Sequence, residues 1–374
     1  MIHFVTPEYP PRHGGVADHT HQIATELSRR GEAVHVWGPS GSAPQPDSPI
    51  VVHPELGRFR SADLRRASLL LDEQPSPKRL VVQWVPHGFG WRAMNLPFCF
   101  WLWRRSVAGD SIELIVHEPF VTFSGGARQC AVAVVQRAMT LMLLSAARRV
   151  WVTTRAWAPL LEPYLAGGGA TVEWLPVPSS LQTAESATVN KVRNRYAAGN
   201  ACLIGHFGTH GSLITSLLID AIPLLAEASP DARFMLIGTD GEAFRSALAA
   251  RHRRLADRVS ATGTLSAGEL SAHIAACDVL LQPYPDGVTS RRTTAMAGLS
   301  AGVPVVTTRG KLTERLWLEG APVKLADVGD VHAMVGHVLE LLGDPGQRRR
   351  QGDAGRAFYD QWFDVRHAVA ALAS

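Results

Sequence analysis

Two adjacent arginines, Arg291 and Arg292, stand where a helix is predicted to begin in "DGVTSRRTTAMAGLSAGVPVVTT" (286–308). A helix N-terminus carries a partial positive charge, so each cation in the first turn costs roughly 0.3–1 kcal/mol when nothing offsets it. Either both side chains extend into water, or they surround a bound anion together with the helix N–H groups and nearby hydroxyls. Only the second interpretation makes this segment a ligand site.

Two further groups of candidate residues follow predicted strands in the first half of the chain. Gly14 and Gly15, in "RHGGVADHT", lie between the first strand and the first long helix. Because they lack side chains, the backbone there can approach a ligand and present its N–H groups to it. His117 and Glu118 end a buried strand in "VHEP". A single histidine at a strand end is more often structural than catalytic, so its position alone assigns no role.

Length and composition limit the class of protein that can hold these residues. The chain has 374 residues, which exceeds what one core usually supports, so two domains of about 150–200 residues are expected. Its formal charge of +4 is spread along the chain, which argues against dedicated nucleic-acid binding. The cysteines show no metal-ligand spacing and are interpreted as reduced core thiols of a cytosolic protein. They are Cys99, Cys130, Cys202 and Cys277.

The sequence offers one candidate for contact with a membrane surface. The N-terminal "MIHFVTPEYPP" meets prolines too early for a secretory signal, and no run reaches the roughly 18–20 apolar residues of a membrane span. The segment "LPFCFWLWRR" (96–105) is short, aromatic and followed by arginines. It is either a core helix or a helix lying in a membrane surface with its arginines at the headgroups.

Short apolar runs alternate with amphipathic stretches, which predicts parallel strands joined by helices. The helix over 17–31 is expected to stop at Gly31. A polar break at 178–201 predicts a linker between two doubly wound α/β halves, whose ligands would lie at the carboxyl ends of the strands. The predicted strands are 2–6, 33–38, 80–85, 113–118, 150–154, 202–208, 232–238, 258–263, 278–283 and 303–308.

The order of these motifs resembles a GT-B fold glycosyltransferase, most closely family GT4 (glycosyl transferase group 1). The resemblance covers nearly the whole chain. The motifs that carry it are "PPRHGGVADHTHQIATELSRRGEAVHVW", "VHEPF", "ARFMLIGTDG", "ACDVLLQPYPDG", "AMAGLSAGVPVVTT" and the closing "DPGQRRRQGDAGRAFYDQWFDVRHAV".

The resemblance implies an α/β fold of the GT-B type, with two doubly wound, Rossmann-like domains facing each other across a cleft. The expected acceptor-side domain is 1–180, followed by a linker at 181–200. The expected nucleotide-sugar domain is 201–356, and a C-terminal helix over 357–374 is expected to cross back to the first domain. The cleft would be lined by the glycine loop, His117 and the segment 286–294.

The family implies transfer of a sugar from a nucleoside-diphosphate sugar to an acceptor hydroxyl, with retention and without a metal ion or a bound cofactor. The acceptor would be a carbohydrate or a lipid-linked molecule in polysaccharide biosynthesis, at the cytoplasmic side of the membrane. His117 would point at the donor sugar with Glu118 beside it. Gly14 and Gly15 would lie near the donor phosphate and the acceptor.

The sequence departs from the family at its two glutamates, which normally stand eight positions apart near the transferred sugar and the nucleotide ribose. Alignment on "GVPVV" without a gap places Thr289 and Ala297 there, whereas a shift of three residues places Asp286 and Thr294. We favour the alignment without a gap. Asp286 then lies in the turn before the helix, and we keep it as a candidate catalytic residue.

A second departure concerns the arginine and lysine with which typical members hold the donor diphosphate. The corresponding loop here is "GTHGS" (208–212), without a long cation. We therefore expect Arg291 and Arg292 to supply the missing charge, with the hydroxyls of Ser290, Thr293 and Thr289 beside them. Ser290 or Thr289 is alternatively only the helix N-cap, and Arg291, which stands nearer that cap, is the expected main contact. The predicted donor-binding residues in this domain are Gly208, Thr209, His210, Thr289, Ser290, Arg291, Arg292 and Thr293.

The sequence is compatible with two other functions. The missing glutamates favour a catalytically silent GT-B protein that acts as a binding or regulatory subunit. A sugar-nucleotide 2-epimerase has the same fold, but the loops around Gly14 and His117 resemble the transferases more.

Overall fold

The computed structural model describes residues 1–12, 14–46, 48–123, 125–165, 170–199 and 201–374. The chain divides into two compact units. The first unit comprises Met1–Val177 and Val365–Ser374, and the second comprises Pro178–Asp364. The chain therefore returns to the first unit eight residues later than the predicted position 357, and the helix Pro345–Trp362 lies wholly in the second unit.

The first unit is built on a seven-stranded parallel sheet of order β3-β2-β1-β4-β5-β6-β7. The inner strands are continuous apolar runs buried on both faces, as Leu80, Val81 and Val82 show. The strands are β1 (Ile2–Val5), β2 (Val34–Pro39), β3 (Val51–Gly57), β4 (Arg79–Trp84), β5 (Ser111–Val116), β6 (Ala147–Val152) and β7 (Thr171–Trp174).

Helices cover this sheet, and the last helix of the chain is one of them. The first long helix ends as predicted near Gly31, whose φ of 91° requires a residue that tolerates the left-handed region. Val369 and Leu372 of the last helix pack with Ile23 and Leu27 of the first helix in one hydrophobic core. The helices are α1 (Gly15–Arg29), α2 (Ser61–Asp72), α3 (Leu96–Val107), α4 (Ala127–Ala146), α5 (Ala158–Leu161) and α14 (Val365–Ala373).

The second unit has a six-stranded parallel sheet of order β10-β9-β8-β11-β12-β13. Its core lies between the sheet and the helices after β8 and β13, where Leu218, Leu225 and Val338 pack against Ile204 and Val279. The strands are β8 (Leu203–Phe207), β9 (Arg233–Ile237), β10 (Val259–Gly263), β11 (Val279–Gln282), β12 (Val305–Arg309) and β13 (Lys324–Asp327).

Helices also join the strands of the second unit. They are α6 (Ser186–Tyr196), α7 (Ser212–Ala228), α8 (Gly241–Arg251), α9 (Ala267–Ala275), α10 (Thr293–Ser300), α11 (Arg315–Glu319), α12 (Val331–Gly343) and α13 (Pro345–Trp362). Together the two sheets confirm the prediction of two doubly wound, Rossmann-like α/β domains.

The structure differs from the sequence prediction at sheet edges and in the linker. Three strands were missed, β3, β7 and β13, and each lies at an edge of its sheet, where one side needs no partner and the apolar run is shorter. The predicted linker 181–200 contains α6, an amphipathic helix that buries Val192. Arg193 on this helix pairs with Asp278 at 2.5 Å, which ties the segment to the second unit.

Close packing of α10 against α13 is made possible by glycine. A Cβ atom built on Gly352 of α13 would lie 2.2 Å from the carbonyl oxygen of Gly302, which follows α10. Backbone cannot withdraw from such a contact as a flexible side chain can, so the two segments would have to separate.

We predict that Gly352→Ala lowers the free energy of unfolding by about 1–3 kcal/mol, the usual cost of overpacking. Gly336→Ala is the matched control, because Gly336 is an exposed position within α12 with no atom within 4 Å of the added Cβ. Removing a glycine from a helix interior raises stability by roughly 0.5–1 kcal/mol, so the control should move in the opposite direction. Urea unfolding of both variants measures the difference, and equal effects would refute this account of the α10–α13 contact.

Candidate functional site

A pocket of about 230 Å³ in the second unit brings together three segments that are far apart in sequence. One wall is the loop after β8, with Gly208 and Thr209, and the opposite wall is formed by Arg291, Arg292 and Thr293. The loop after β8 also lies against the end of β9, and glycine makes this approach possible, since a Cβ atom on Gly238 would lie 2.2 Å from the Gly208 carbonyl oxygen. The loop that lacks a long cation thus shares a pocket with the two arginines.

The two arginines precede the helix instead of occupying its first turn. Arg292 is the N-cap residue, and α10 begins at Thr293. The Arg292 guanidinium lies over the ring of Tyr284, 4.6 Å from its centroid, and the Tyr284 hydroxyl is hydrogen-bonded to Thr294 at 2.7 Å. Both arginines are half-buried. The prediction that Ser290 or Thr289 caps the helix was therefore wrong, and with it the reason for ranking Arg291 first.

Ser290 does not cap the helix because a buried carboxylate holds it. Glu314, the N-cap residue of α11, accepts hydrogen bonds from the Ser290 backbone N–H and from the Ser290 hydroxyl, both at 2.6 Å. It also accepts one from Trp317 Nε1 at 3.2 Å. Glu314 was not identified from the sequence, because only acids at the family's spacing were considered there. It lies 24 residues after Ser290 and meets it only because β11 and β12 are neighbours.

Thr289 and Ser290 are both fully buried and lie outside the pocket lining that the structure describes. The Thr289 hydroxyl has no hydrogen-bond partner among the described residues. Their predicted role as direct donor ligands is not supported, because neither side chain reaches the pocket surface. Thr293 lines the pocket, and its role as a donor ligand stays a prediction.

Two buried side chains that the sequence reading did not select, His206 and Gln282, also line the pocket. His206 Nδ1 donates to the Leu281 carbonyl at 2.8 Å, and Gln282 Nε2 donates to the Phe207 carbonyl at 3.2 Å. Their remaining acceptors, His206 Nε2 and Gln282 Oε1, have no hydrogen-bond partner among the described residues. Each such atom costs about 1–3 kcal/mol unless a ligand or water supplies a donor.

His210, which was predicted, stands behind His206. Its ring lies edge-on to that of His206 with centroids 5.1 Å apart, and its Nδ1 donates to the Thr239 carbonyl at 2.9 Å. Burial, together with the nearby His210, lowers the pKa of His206 to about 3, and burial also lowers the pKa of His210. Both imidazoles are neutral at neutral pH, so Arg291 and Arg292 supply the positive charge of this pocket.

Asp286 is oriented toward a lysine. Its carboxylate pairs with Lys311 at 3.2 Å, and its backbone carbonyl accepts a hydrogen bond from the Leu312 N–H at 3.0 Å. It does not belong to the pocket lining, in which the described residues include no acid. The carboxylate that the alternative alignment recovered is thus paired with Lys311 in the turn before α10.

In the first unit, the glycine loop is already bound to an anion of the protein itself. The Glu8 carboxylate accepts hydrogen bonds from the Val16 and Ala17 N–H groups at 3.0 and 3.1 Å, at the N-terminus of α1. A Cβ on Gly14 would lie 2.4 Å from that carboxylate. Gly14 therefore makes room for Glu8, and the N–H groups expected to face a donor phosphate are partly used by a side chain.

His117 directly follows β5 and lies beside two buried polar side chains, Gln83 and His19. Gln83 Oε1 can only accept, so His117 Nε2 donates to it at 2.7 Å. The His19 ring stands edge-on to the His117 ring with centroids 5.0 Å apart, and burial lowers the pKa of His19 to about 4. Glu118 lies nearer solvent and contacts His87 at 3.5 Å; its hydrogen bond raises the pKa of His87.

Comparison with known proteins accounts for the second unit. Residues 202–344 match the family model described as "Glycosyl transferases group 1". The matched residues run from β8 to the end of α12 in the second unit. The chain is similar over 182 residues, at 29% identity, to a GDP-mannose-dependent alpha-(1-6)-phosphatidylinositol monomannoside mannosyltransferase of Mycolicibacterium smegmatis, covering 46% of this chain and 47% of that protein. Over 159 residues it is 30% identical to a 2-deoxystreptamine glucosyltransferase of Streptomyces kanamyceticus, covering 40% and 38%.

The chain thus aligns with less than half of each of these curated relatives. Solved structures extend the similarity of fold beyond the glycosyltransferase domain. Sucrose-phosphate synthase from Thermosynechococcus elongatus has a TM-score of 0.77 at 14% identity, and Anabaena HepE in complex with UDP and glucose has 0.71 at 17%; each covers 100% of this chain and 98% of the other. The predicted resemblance to a GT-B glycosyltransferase is confirmed.

The buried histidine of the pocket predicts a dependence of stability on pH. His206 stays neutral in the folded protein down to about pH 3, whereas an unfolded histidine takes up a proton below about pH 6.5. The free energy of unfolding should therefore fall as the pH falls through this window, by at most about 1.4 kcal/mol per pH unit for this one group.

His206→Asn retains a donor for the Leu281 carbonyl and removes the titration. We expect a shallower decline between pH 6 and pH 4 than in the unmodified protein, measured by urea unfolding at several pH values. Comparison of the two proteins at pH 8, where both side chains are neutral, separates any packing defect from titration. Parallel pH profiles would show that His206 takes up its proton in both states alike.

Proposed function

We propose that the protein is a glycosyltransferase that moves a sugar from a nucleoside-diphosphate sugar to an acceptor hydroxyl, with retention and without a metal ion. The observation that carries this proposal is the pocket in the glycosyltransferase domain, where two half-buried arginines face the loop after β8. Arginine binds phosphate oxygens through two parallel N–H donors, and the N-terminus of α10 adds its partial positive charge at the same place.

The proposed chemistry depends on stabilising the leaving group. The bond between the anomeric carbon and the diphosphate oxygen breaks with its electron pair on oxygen, and Arg291 and Arg292 stabilise the charge that develops. The acceptor hydroxyl oxygen forms the new bond on the same face of the sugar, and its proton passes to the departing diphosphate. His117 would contact the donor sugar, the role that the family resemblance implies for it.

The proposed donor is a UDP-sugar or a GDP-sugar. The mannosyltransferase relative is named as GDP-mannose-dependent, and the solved HepE structure contains UDP. The uncharged acceptors His206 and Gln282 are suited to sugar or ribose hydroxyls beside the phosphates. A catalytically silent GT-B subunit is the alternative, and it would keep these residues without turning over a donor.

We predict that Arg291→Ala and Arg292→Ala each weaken binding of UDP or GDP roughly tenfold to more than a hundredfold, as expected for loss of a charge-assisted contact. Arg251→Ala removes the same charge from an exposed position of the second unit outside the pocket lining and should leave affinity unchanged. Isothermal titration calorimetry measures all three. Unchanged affinity in both single variants and in the double variant would exclude the arginine site.

The stability of the variants without ligand shows whether a loss of binding comes from the site or from unfolding. Arg292→Ala loses the contact with the Tyr284 ring, which typically contributes about 0.5–2 kcal/mol. We therefore expect Tm to fall in the Arg292 variant. Nucleotide binding by all variants is measured well below the lowest Tm, so that every variant is folded.

We also propose that the first unit associates with an anionic membrane surface. One side of α3 is buried through Phe98, Cys99 and Leu102, as the core-helix interpretation required. The other side carries a stripe of apolar residues at helical spacing, each more than a third exposed. They are Leu96, Phe100, Trp103 and Val107.

The charges around this stripe are fewer than the sequence indicated. Arg105 is buried and pairs with Asp72 at 2.6 Å and with Asp110, so only Arg104 of the pair is exposed to meet lipid headgroups. The expectation that no segment is long and apolar enough for a membrane span was wrong by this criterion: α4 passes it by length and composition, with 39% of the apolar window buried. Core helices pass the same criterion, so surface association through α3 is the arrangement we propose.

Flotation with anionic liposomes at low salt tests this association. We expect the protein in the lipid fraction and expect Phe100→Ser/Trp103→Ser to lower that fraction several-fold, because two apolar side chains are lost. Leu213→Ser/Leu318→Ser is the control, since it removes two exposed apolar residues of the second unit. Absence of the unmodified protein from the lipid fraction, or equal loss in both double variants, would contradict the proposal.

A further inference from the structure

The first unit contains a cavity of about 910 Å³ at the carboxyl ends of β1, β2, β3 and β4. Its wall includes Pro7 after β1, Ser40 after β2, Gly57 at the end of β3 and Gly88 after β4. In parallel α/β sheets this edge is where ligands bind, and the volume falls within the range of small-molecule sites. The cavity lies apart from the residues that the sequence selected in this unit, since Gly14, His117 and Glu118 do not line it.

The cavity has a single sign of charge. Three arginines from two loops line it, Arg12, Arg58 and Arg60, and its described lining contains no aspartate or glutamate. The nearby carboxylate of Asp63 is engaged elsewhere: it accepts hydrogen bonds from the Arg58 and Arg60 backbone N–H groups at 3.0 and 3.1 Å and pairs with Arg66. A concave surface lined by one sign of charge concentrates ligands of the opposite sign.

Asp63 also positions the arginines. By fixing the backbone at Arg58 and Arg60, it holds the loop between β3 and α2 while leaving their guanidinium groups at the cavity. Asn95 ties this loop to the start of α3, because its Nδ2 donates to the Phe59 carbonyl at 3.1 Å while its Oδ1 accepts from the Phe98 N–H at 3.0 Å. The loop that carries Arg58 and Arg60 is thus hydrogen-bonded to the start of both α2 and α3.

An aromatic surface faces the same cavity. Trp91 is 70% exposed and lines the cavity beside Met94 and Leu96. The Arg92 guanidinium covers one face of the indole at 3.8 Å from the ring centroid, which holds the ring in place. Guanidinium groups on one side and an aromatic face on the other suit a ligand with a compact anionic group and a ring that has an apolar face.

We propose that this cavity binds the acceptor and that the acceptor carries a phosphate group, held by Arg12, Arg58 and Arg60, with its ring against Trp91. This inference rests on the proposed transferase function, because it names the class of molecule that receives the sugar. Arginine forks match phosphate oxygens, and three of them exceed what a neutral sugar needs. A free sugar phosphate and the phosphate of a lipid headgroup share this chemistry, and Leu96 joins the cavity to the exposed stripe of α3.

Calorimetry with glucose 6-phosphate, and with glucose as the uncharged probe, tests the soluble form. Flotation with vesicles of phosphatidylcholine, alone or mixed with phosphatidylinositol, tests the headgroup form. The variant is Arg58→Ala/Arg60→Ala, which keeps both backbone N–H groups for Asp63 and so should fold. The control is Arg65→Ala/Arg148→Ala, two exposed arginines of the same unit outside the cavity lining.

We expect the unmodified protein to bind glucose 6-phosphate more tightly than glucose, or vesicles with phosphatidylinositol more tightly than vesicles of phosphatidylcholine alone, whose headgroup has no net charge. The Arg58/Arg60 variant should lose at least tenfold in that affinity and the control less than twofold. Binding of glucose 6-phosphate identifies a free sugar phosphate, and arginine-dependent binding to phosphatidylinositol vesicles alone identifies a headgroup. No preference for either phosphate probe, or equal losses in variant and control, would overturn the proposal.

Failure of the donor site gives a different result. Arg291→Ala/Arg292→Ala leaves the first unit unchanged, so it should bind the phosphate-bearing probe as the unmodified protein does. If UDP and GDP do not bind but the Arg58/Arg60 effect persists, the transferase proposal fails and the anion site of the first unit stands. If nucleotides bind but the Arg58/Arg60 variant behaves as its control does, only the acceptor proposal fails.

Discussion

The contact between the Glu314 carboxylate and Ser290 determines the geometry of the charged pocket. Glu314 is buried and accepts the Ser290 N–H, the Ser290 hydroxyl and the Trp317 indole N–H. Hydrogen bonds to a charged group contribute about 1.5–3 kcal/mol, and a buried carboxylate without them would be strongly unfavourable. Satisfying Glu314 therefore draws Ser290 inward, and the next two residues, Arg291 and Arg292, are turned toward the loop after β8.

Both units place positive charge near the carboxyl ends of their strands, but by different means. In the first unit the N-terminus of α1 is bound to Glu8, and the cations stand on the loops that hold Arg12, Arg58 and Arg60. In the second unit Arg291 and Arg292 precede α10, where the partial charge of a helix adds to theirs. A carboxylate at the first helix and arginines at the second give two related folds different ligand chemistry.

The buried histidines add no positive charge to these regions at neutral pH. Burial keeps His206 and His19 uncharged at neutral pH, so both behave as dipolar hydrogen-bonding groups. The positive charge of each region therefore comes from arginines, which stay protonated in any environment. A pocket whose charge does not vary near neutral pH is suited to a permanently anionic ligand, whereas its histidines make folding more sensitive to acid.

The sequence by itself determined the fold class. Buried parallel strands are continuous apolar runs, and their alternation with amphipathic helices can be recognised in the sequence. It located β5, β8 and β11, which precede His117, the loop after β8 and the two arginines. It missed β3, β7 and β13, whose edge positions relax the apolar pattern, and with β3 it missed the strand that precedes Arg58 and Arg60. Its separation of Arg291 and Arg292 as the unusual feature of the second unit followed from local electrostatics alone.

Only the tertiary structure decided which side chains reach a ligand. Ser290 and Thr289 have hydroxyls at the right place in the sequence, yet both are buried, and Asp286 is paired with Lys311. Glu314 accepts from a residue 24 positions away and Glu8 from one eight positions away. Arg12 and Arg58 line one cavity from separate loops. Local propensity carries no information on such contacts, because the order of strands in the sheet decides which loops are neighbours.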